Sequence, residues 1–268
     1  MTTFTLRRST PRDLNELVVG APGTLVALTD DHRRSLSARF RAVISNDHRR
    51  LDAWSVERAG QPSSSFRWSP ATARRLLGNA ALRRVVRDAL VAPTEAVADE
   101  INDQLLRCAS GYARPGSLAS WLASLSASEV ALVCAEATNW AVQVLEIAQG
   151  LQVEWRVATS DAYYDVARAR TSLRARRDLD VPLGEGRVVL RVRSGSPGKS
   201  AGPGLRSDLT IDTLANPKGI APRRFIGVWP DAGVALSVDG TMADLRAGAR
   251  DLVRTAVVQE RRHHQMAA

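Results

Sequence analysis

Asp178 is the residue around which chemistry could be arranged. It stands in RARRDLDV, behind Arg174 and Arg176, and the following VVLRVRSG carries Arg191 and Arg193, again at alternate positions. A carboxylate in such a place has two uses. With a second oxygen ligand it can hold a divalent metal that activates water against a phosphate. Beside arginine alone it is a counter-ion, and an ion pair with Arg174 or Arg176 is the plain structural use of Asp178. The arginines have a capability of their own. Alternate residues of a strand share a face at about 6.6–7 Å, close to the phosphate repeat of an extended nucleic-acid backbone. Arg168, Arg170, Arg174 and Arg176 form one such strip, which Arg191 and Arg193 widen if the neighbouring strand brings them to the same side. Lys199, in the loop GSPGKSAGPG, adds a further cation. An ordinary antiparallel sheet with one wet face also alternates, but it normally mixes charge signs, because like charges opposite each other destabilise a strand pair.

The whole chain leans the same way. Its 268 residues carry a formal charge of +9, which favours a polyanionic partner over an acidic or neutral one. Lys199 and Lys218 are the only lysines, a bias that a GC-rich genome produces without function; alternation along a strand has no such origin. Hydrophobic residues make up 44% of the chain and aromatics 5%, so a core forms chiefly from alanine, valine and leucine. Cys108 and Cys134 lie in apolar helical segments without metal-ligand spacing and read as buried thiols in a reducing compartment. No uninterrupted apolar run approaches the ~18 residues that span a bilayer, and MTTFTLRRSTPRDL has no apolar signal core, so the expectation is a cytoplasmic protein without a membrane partner.

The elements that must position the arginines follow from periodicity and caps. An α/β protein is expected, with a mostly helical region over 1–125 and an α/β domain of mixed sheet and flanking helices over 126–268. Thr29 or Asp30 caps a helix that presents Leu36, Phe40 and Val43, and Ser69-Pro70 opens a second. Thr94 and an acidic first turn open a third. In 126–149, Val133, Ala137, Trp140, Ala141 and Val144 make an apolar stripe, and a sheet follows directly. VEWRVAT (153–159) alternates as a half-buried strand; 163–179 is one longer strand or a tight pair; PLGEG (182–186) turns the chain into the strand of Val188, Leu190 and Val192. LRSDLTIDTLAN reads as a helix, RRFIGVWPDAG as a strand ending in a turn, and the last segment as a helix with Leu245, Leu252 and Ala256 inward and Arg246, Arg250 and Arg254 outward.

The succession helix, strands, helix, strand from 126 to 229 resembles the core of the PD-(D/E)XK nuclease superfamily, nearest to the exonuclease domains attached to recombination helicases. Asp178 in RARRDLDV takes the first acidic position, VVLRVRSG follows at suitable spacing, and FIGVWPDAG resembles the late Trp- and Gly-bearing strand. The resemblance implies a restriction-endonuclease-like fold and a DNA substrate. The second acid of that pattern falls on Arg191 and its lysine on Arg193, and LRSDLTIDTLA lacks the Gln and Tyr of the following helix. Arginine repels a metal and is a poor base for activating water. What the resemblance implies is therefore a frame turned to binding without catalysis, in DNA repair, recombination or defence, beside a protein partner that supplies motor or nuclease activity. No cofactor is implied. In the alternative, a magnesium- or manganese-dependent nuclease, Glu136 or Asp180 joins Asp178 as ligand and Lys199 replaces the lysine. A further alternative is a protein-interaction scaffold whose arginines only solvate it.

Two other patterns lead nowhere. RSGSPGKS ends like a phosphate loop, but its leading glycine is Arg193, and Gly202-Pro203-Gly204 are expected to block the helix such a loop needs. His32, His48, His263 and His264 have no ligand or catalytic spacing.

Overall fold

The caps written in the sequence start the helices. Thr29 accepts a hydrogen bond from the backbone N–H of His32, and Ser69 from that of Thr72, with Pro70 in the first turn where its missing N–H costs nothing. The computed structural model describes residues 7–9, 14–43, 49–52, 56, 68–166 and 171–267. In chain order its elements are β1 (Arg7–Ser9), α1 (Leu14–Val19), α2 (Asp30–Arg41), β2 (Arg49–Asp52), α3 (Pro70–Arg87), α4 (Pro93–Ala109), α5 (Leu118–Ala123) and α6 (Ala127–Gln149). Then come β3 (Arg156–Val157), β4 (Ala162–Val166), β5 (Thr171–Ala175), β6 (Leu179–Leu183), β7 (Gly186–Val192), α7 (Ala201–Ala215), β8 (Arg224–Trp229), β9 (Val234–Asp239) and α8 (Met242–Ala267). Helix α4 is capped two residues before the threonine, at Ala92, with no side-chain cap hydrogen bond.

The chain divides into two units, Ser64–Gln149 and Met1–Ser63 with Gly150–Ala268. The boundary expected at 125/126 falls inside the first unit. There the stripe of α6 packs on α3 and α4 around Ala73, Leu77, Ala96, Val97, Ile101, Val133 and Ala137. Gly78 permits a close crossing: a Cβ built on it would lie 2.6 Å from Trp140 Cδ1 and 2.8 Å from the Ala137 carbonyl. The Trp140 indole N–H donates to Asn79 at 2.9 Å, so the ring is held by a polar bond as well as by packing. Among the described residues α6 is also the one helix long and apolar enough to cross a membrane by length and composition, although Glu129, Glu136 and Glu146 interrupt its apolar runs.

The other unit holds two sheets. The larger runs β1-β9-β8-β7-β6-β3, with β7 and β8 parallel and the remaining neighbours antiparallel; the smaller runs β2-β5-β4. The segment 163–179 is thus a pair, β4 against β5, followed by β6 in the other sheet. The two arginine sets are separated as a result. Arg174 lies on β5, which pairs with β2 and β4, whereas Arg191 lies on β7, which pairs with β6 and β8. They do not form adjacent strands of one basic face.

Helix α7 crosses between parallel β7 and β8 and is buried around nearly its whole circumference. Leu205 and Leu209 meet Val189, Phe225 and Trp229 of the large sheet, while Ile211 and Leu214 join Leu173, Ala175, Phe40 and Leu252. Its buried hydroxyls are satisfied locally: Ser207, Thr210 and Thr213 donate to the carbonyls four residues back. The helix begins at Ala201 although Gly202, Pro203 and Gly204 follow, because a first turn has no intrahelical N–H bonds for proline to break. The expected block to a helix after Lys199 is therefore absent. At Gly248 of α8 a Cβ would collide with the Arg206 carbonyl and the Thr210 hydroxyl, which is how α7 and α8 come so near.

Candidate nucleic-acid interface

Asp178 sits just before β6 and is stitched into the large sheet on both sides. Its N–H donates to Leu190 O at 3.0 Å and its carbonyl accepts from Ala158 at 2.9 Å. Its side chain is fully buried, and Oδ2 accepts from the Val192 N–H at 2.8 Å. The position that would carry a second acid, Arg191, is also buried, with its guanidinium donating to Asp208 of α7. Arg191 is thus removed from the exposed strip that its spacing suggested. Strand β7 is covered on both faces from Val188 to Val192, so alternation along it does not separate wet from dry.

The next arginine is differently placed. Arg193 continues the β7 ladder by donating its N–H to Val228 O at 2.8 Å, and its guanidinium lies 4.8 Å over the Trp229 ring. Residues 194–200 then lead into α7, with Gly195 N–H donating to Asp231 at 2.7 Å. Lys199 is exposed in that connection. Arg193, Lys199 and the start of α7 therefore gather at the carboxyl ends of β7 and β8, where ligand sites of α/β sheets form.

Of the other strip residues, Arg168 and Arg170 lie outside the described residues. Arg174 is mostly buried and 3.5 Å from Asp161, and Arg176 is half-buried.

Sequence reasoning missed a second ionic group. Asp212, one helical turn beyond Asp208, accepts from Arg187 and lies 3.5 Å from Arg177; Arg187 also reaches Asp180 at 2.6 Å. Asp212, Arg177 and Arg187 line a cleft of about 450 Å³ with Ser160, Asp161 and Asn216. Burial pushes the Asp212 carboxyl above its ordinary value and outweighs the two arginines that pull it down. The signal was present: aspartates at i and i+4 share a helix face, and Arg187 and Arg191 are spaced to share a strand face. What was absent was any local sign that the two faces meet.

The residues do not suit a divalent metal. Arg191 is paired to Asp208, Asp180 is paired to Arg187, and Glu136 is paired to Arg74 at 2.8 Å within the helical unit. Among the described residues no cluster of three or more His, Cys, Asp or Glu side chains could hold one. Comparison with family models, with curated proteins and with solved structures finds no match to this chain.

Proposed function

We propose that the chain binds DNA without cutting it, on a restriction-endonuclease-like core converted from catalysis to phosphate binding. The observation that carries this reading is the buried Arg191–Asp208 pair beside Asp178. At that position the resembled nucleases need an acid and a metal, and here a fixed cation is locked to a carboxylate from the following helix. The succession α6, strands, α7, β8 runs in the order of that core and supports the reading. So does the charge of +9, which drives salt-sensitive and largely sequence-blind association with phosphates. The contacts assigned to DNA are Arg193 and Lys199, together with Arg168, Arg170, Arg174 and Arg176. A place in repair, recombination or defence, in the cytoplasm and beside a motor or nuclease partner, goes with this role.

The test is one titration of labelled single- and double-stranded DNA over several salt concentrations, with and without Mn²⁺, reading binding and strand integrity together. Tight, steeply salt-dependent binding to intact DNA is expected. Metal-dependent cleavage that disappears in Asp178→Ala would replace the reading with a nuclease. No binding at low salt would leave the protein-interaction scaffold.

A further inference from the structure

Two of the arginines that the sequence placed on the outside of the last helix, Arg246 and Arg250, border an apolar cleft. Helices α2, α7 and α8 surround a space of about 330 Å³ whose floor is formed by buried Leu36, Leu214 and Leu245. That volume lies at the lower end of the ~300–1,000 Å³ range of small-molecule sites. Arg39 from α2 and Arg246 and Arg250 from α8 stand at its rim. All three are exposed, and none pairs with a carboxylate among the described residues. Among the described residues no acidic side chain lines the cleft, so the positive charge at its mouth meets no carboxylate from them. His32 also lines the cleft, with its Nδ1 3.3 Å from the Thr29 backbone N and 2.8 Å from the Thr29 hydroxyl.

We propose that this cleft binds an aliphatic chain of medium length that ends in an anion, carboxylate or phosphate. The chain lies on the leucine floor and the head group lies among Arg39, Arg246 and Arg250. Both halves of the ligand are dictated by the lining. An aliphatic floor gains from excluding water but offers no aromatic surface on which a nucleobase could stack. Guanidinium groups recognise carboxylate and phosphate oxygens by paired, charge-assisted hydrogen bonds, and a desolvated floor beside them strengthens that attraction. A simple anion would leave the floor wet, and an uncharged alkane would leave the arginines without a partner.

Calorimetric titration of the full chain with decanoate, decyl phosphate and decanol tests this without any DNA, so its outcome is independent of the nucleic-acid reading. One-site saturable binding of decanoate or decyl phosphate is expected, and the tighter of the two identifies the head group. Decanol should bind at least roughly tenfold more weakly, the worth of a lost charge-assisted contact. Arg246→Gln with Arg250→Gln, both surface changes, should cost a similar factor. Ala249→Trp, which fills the cleft, should abolish binding; Met242→Trp serves if that variant does not fold. The proposal is overturned if neither anion binds saturably, if decanol binds as tightly, or if the arginine and filled variants bind like the parent. Sedimentation with phosphatidylglycerol vesicles, without binding of the free amphiphiles, would overturn it in favour of a lipid surface.

Discussion

Arg191 of β7 and Asp208 of α7 form an ion pair in which the two side chains are 5% and 0% exposed. The pair ties the centre of the large sheet to the helix that crosses over it. Removing one partner strands the other charge in the interior, so Arg191→Met is expected to destabilise the protein by about 3–5 kcal/mol. Arg191→Met with Asp208→Leu should recover most of that loss, since apolar residues can replace a buried pair at little net cost. Urea unfolding followed by tryptophan fluorescence measures both. A single variant as stable as the parent would show that the charges are not buried together.

Arg193 and Lys199 make the opposite prediction. In the proposed role each meets phosphate, so Arg193→Gln and Lys199→Gln should each weaken DNA binding across sequences and lower the salt slope by about one. Arg191→Met should leave the slope of the folded fraction unchanged. A slope that falls with Arg191 and not with Arg193 would put the contact surface elsewhere.

Asp212 makes stability depend on pH with a definite sign. Its carboxyl, ordinarily near 3.8, is raised in the folded state by burial. The native protein therefore keeps this proton when the unfolded chain has lost it. The stability linked to that proton is full below the ordinary value and is lost as pH rises through the folded value. Asp212→Asn removes the titration, so its stability relative to the parent should climb as pH rises from about 4 and then level off above the folded value. Urea midpoints of both proteins across that range measure it; a difference that does not vary with pH would contradict the assignment.

Gly78 is expected to resist a change that helix propensity favours. Alanine is the better helix former by about 1 kcal/mol, yet its Cβ would sit 2.6 Å from the Trp140 ring and 2.8 Å from the backbone of α6. Gly78→Ala should therefore destabilise the helical unit by about 1–3 kcal/mol, the usual cost of overpacking. Circular dichroism during urea unfolding reads this directly, and a stabilised variant would mean that the crossing is looser than described.

The amino-acid sequence by itself determined what local physics determines. Thr29 and Ser69 start helices because a side-chain oxygen can meet a free N–H three residues on, wherever the helix later packs. The stripe of α6 and the inward and outward faces of α8 are legible because a period near 3.6 depends only on the helix itself. The turn into β7 follows from PLGEG, whereas alternation over 163–179 left one long strand or a pair open and the structure made it the pair β4–β5. Asp178 was recognisable as the acid that directly follows the arginine run, but its bond to the Val192 N–H was not.

Tertiary structure decided which faces meet. Alternation tells which residues of a strand share a side, but it does not give the strand's partner or say whether both sides are covered. Arg174 and Arg191 consequently went to different sheets, and Arg191 went inward because α7 offers Asp208 at the point where β7 passes beneath it. Helix α7 itself is rich in polar residues yet lies at the centre of its unit. Its hydroxyls bond back to their own helix and its aspartates find arginines tens of residues away in sequence. Those partners exist only when the chain is folded, since the free energy that allows a charge to be buried comes from a non-local neighbour.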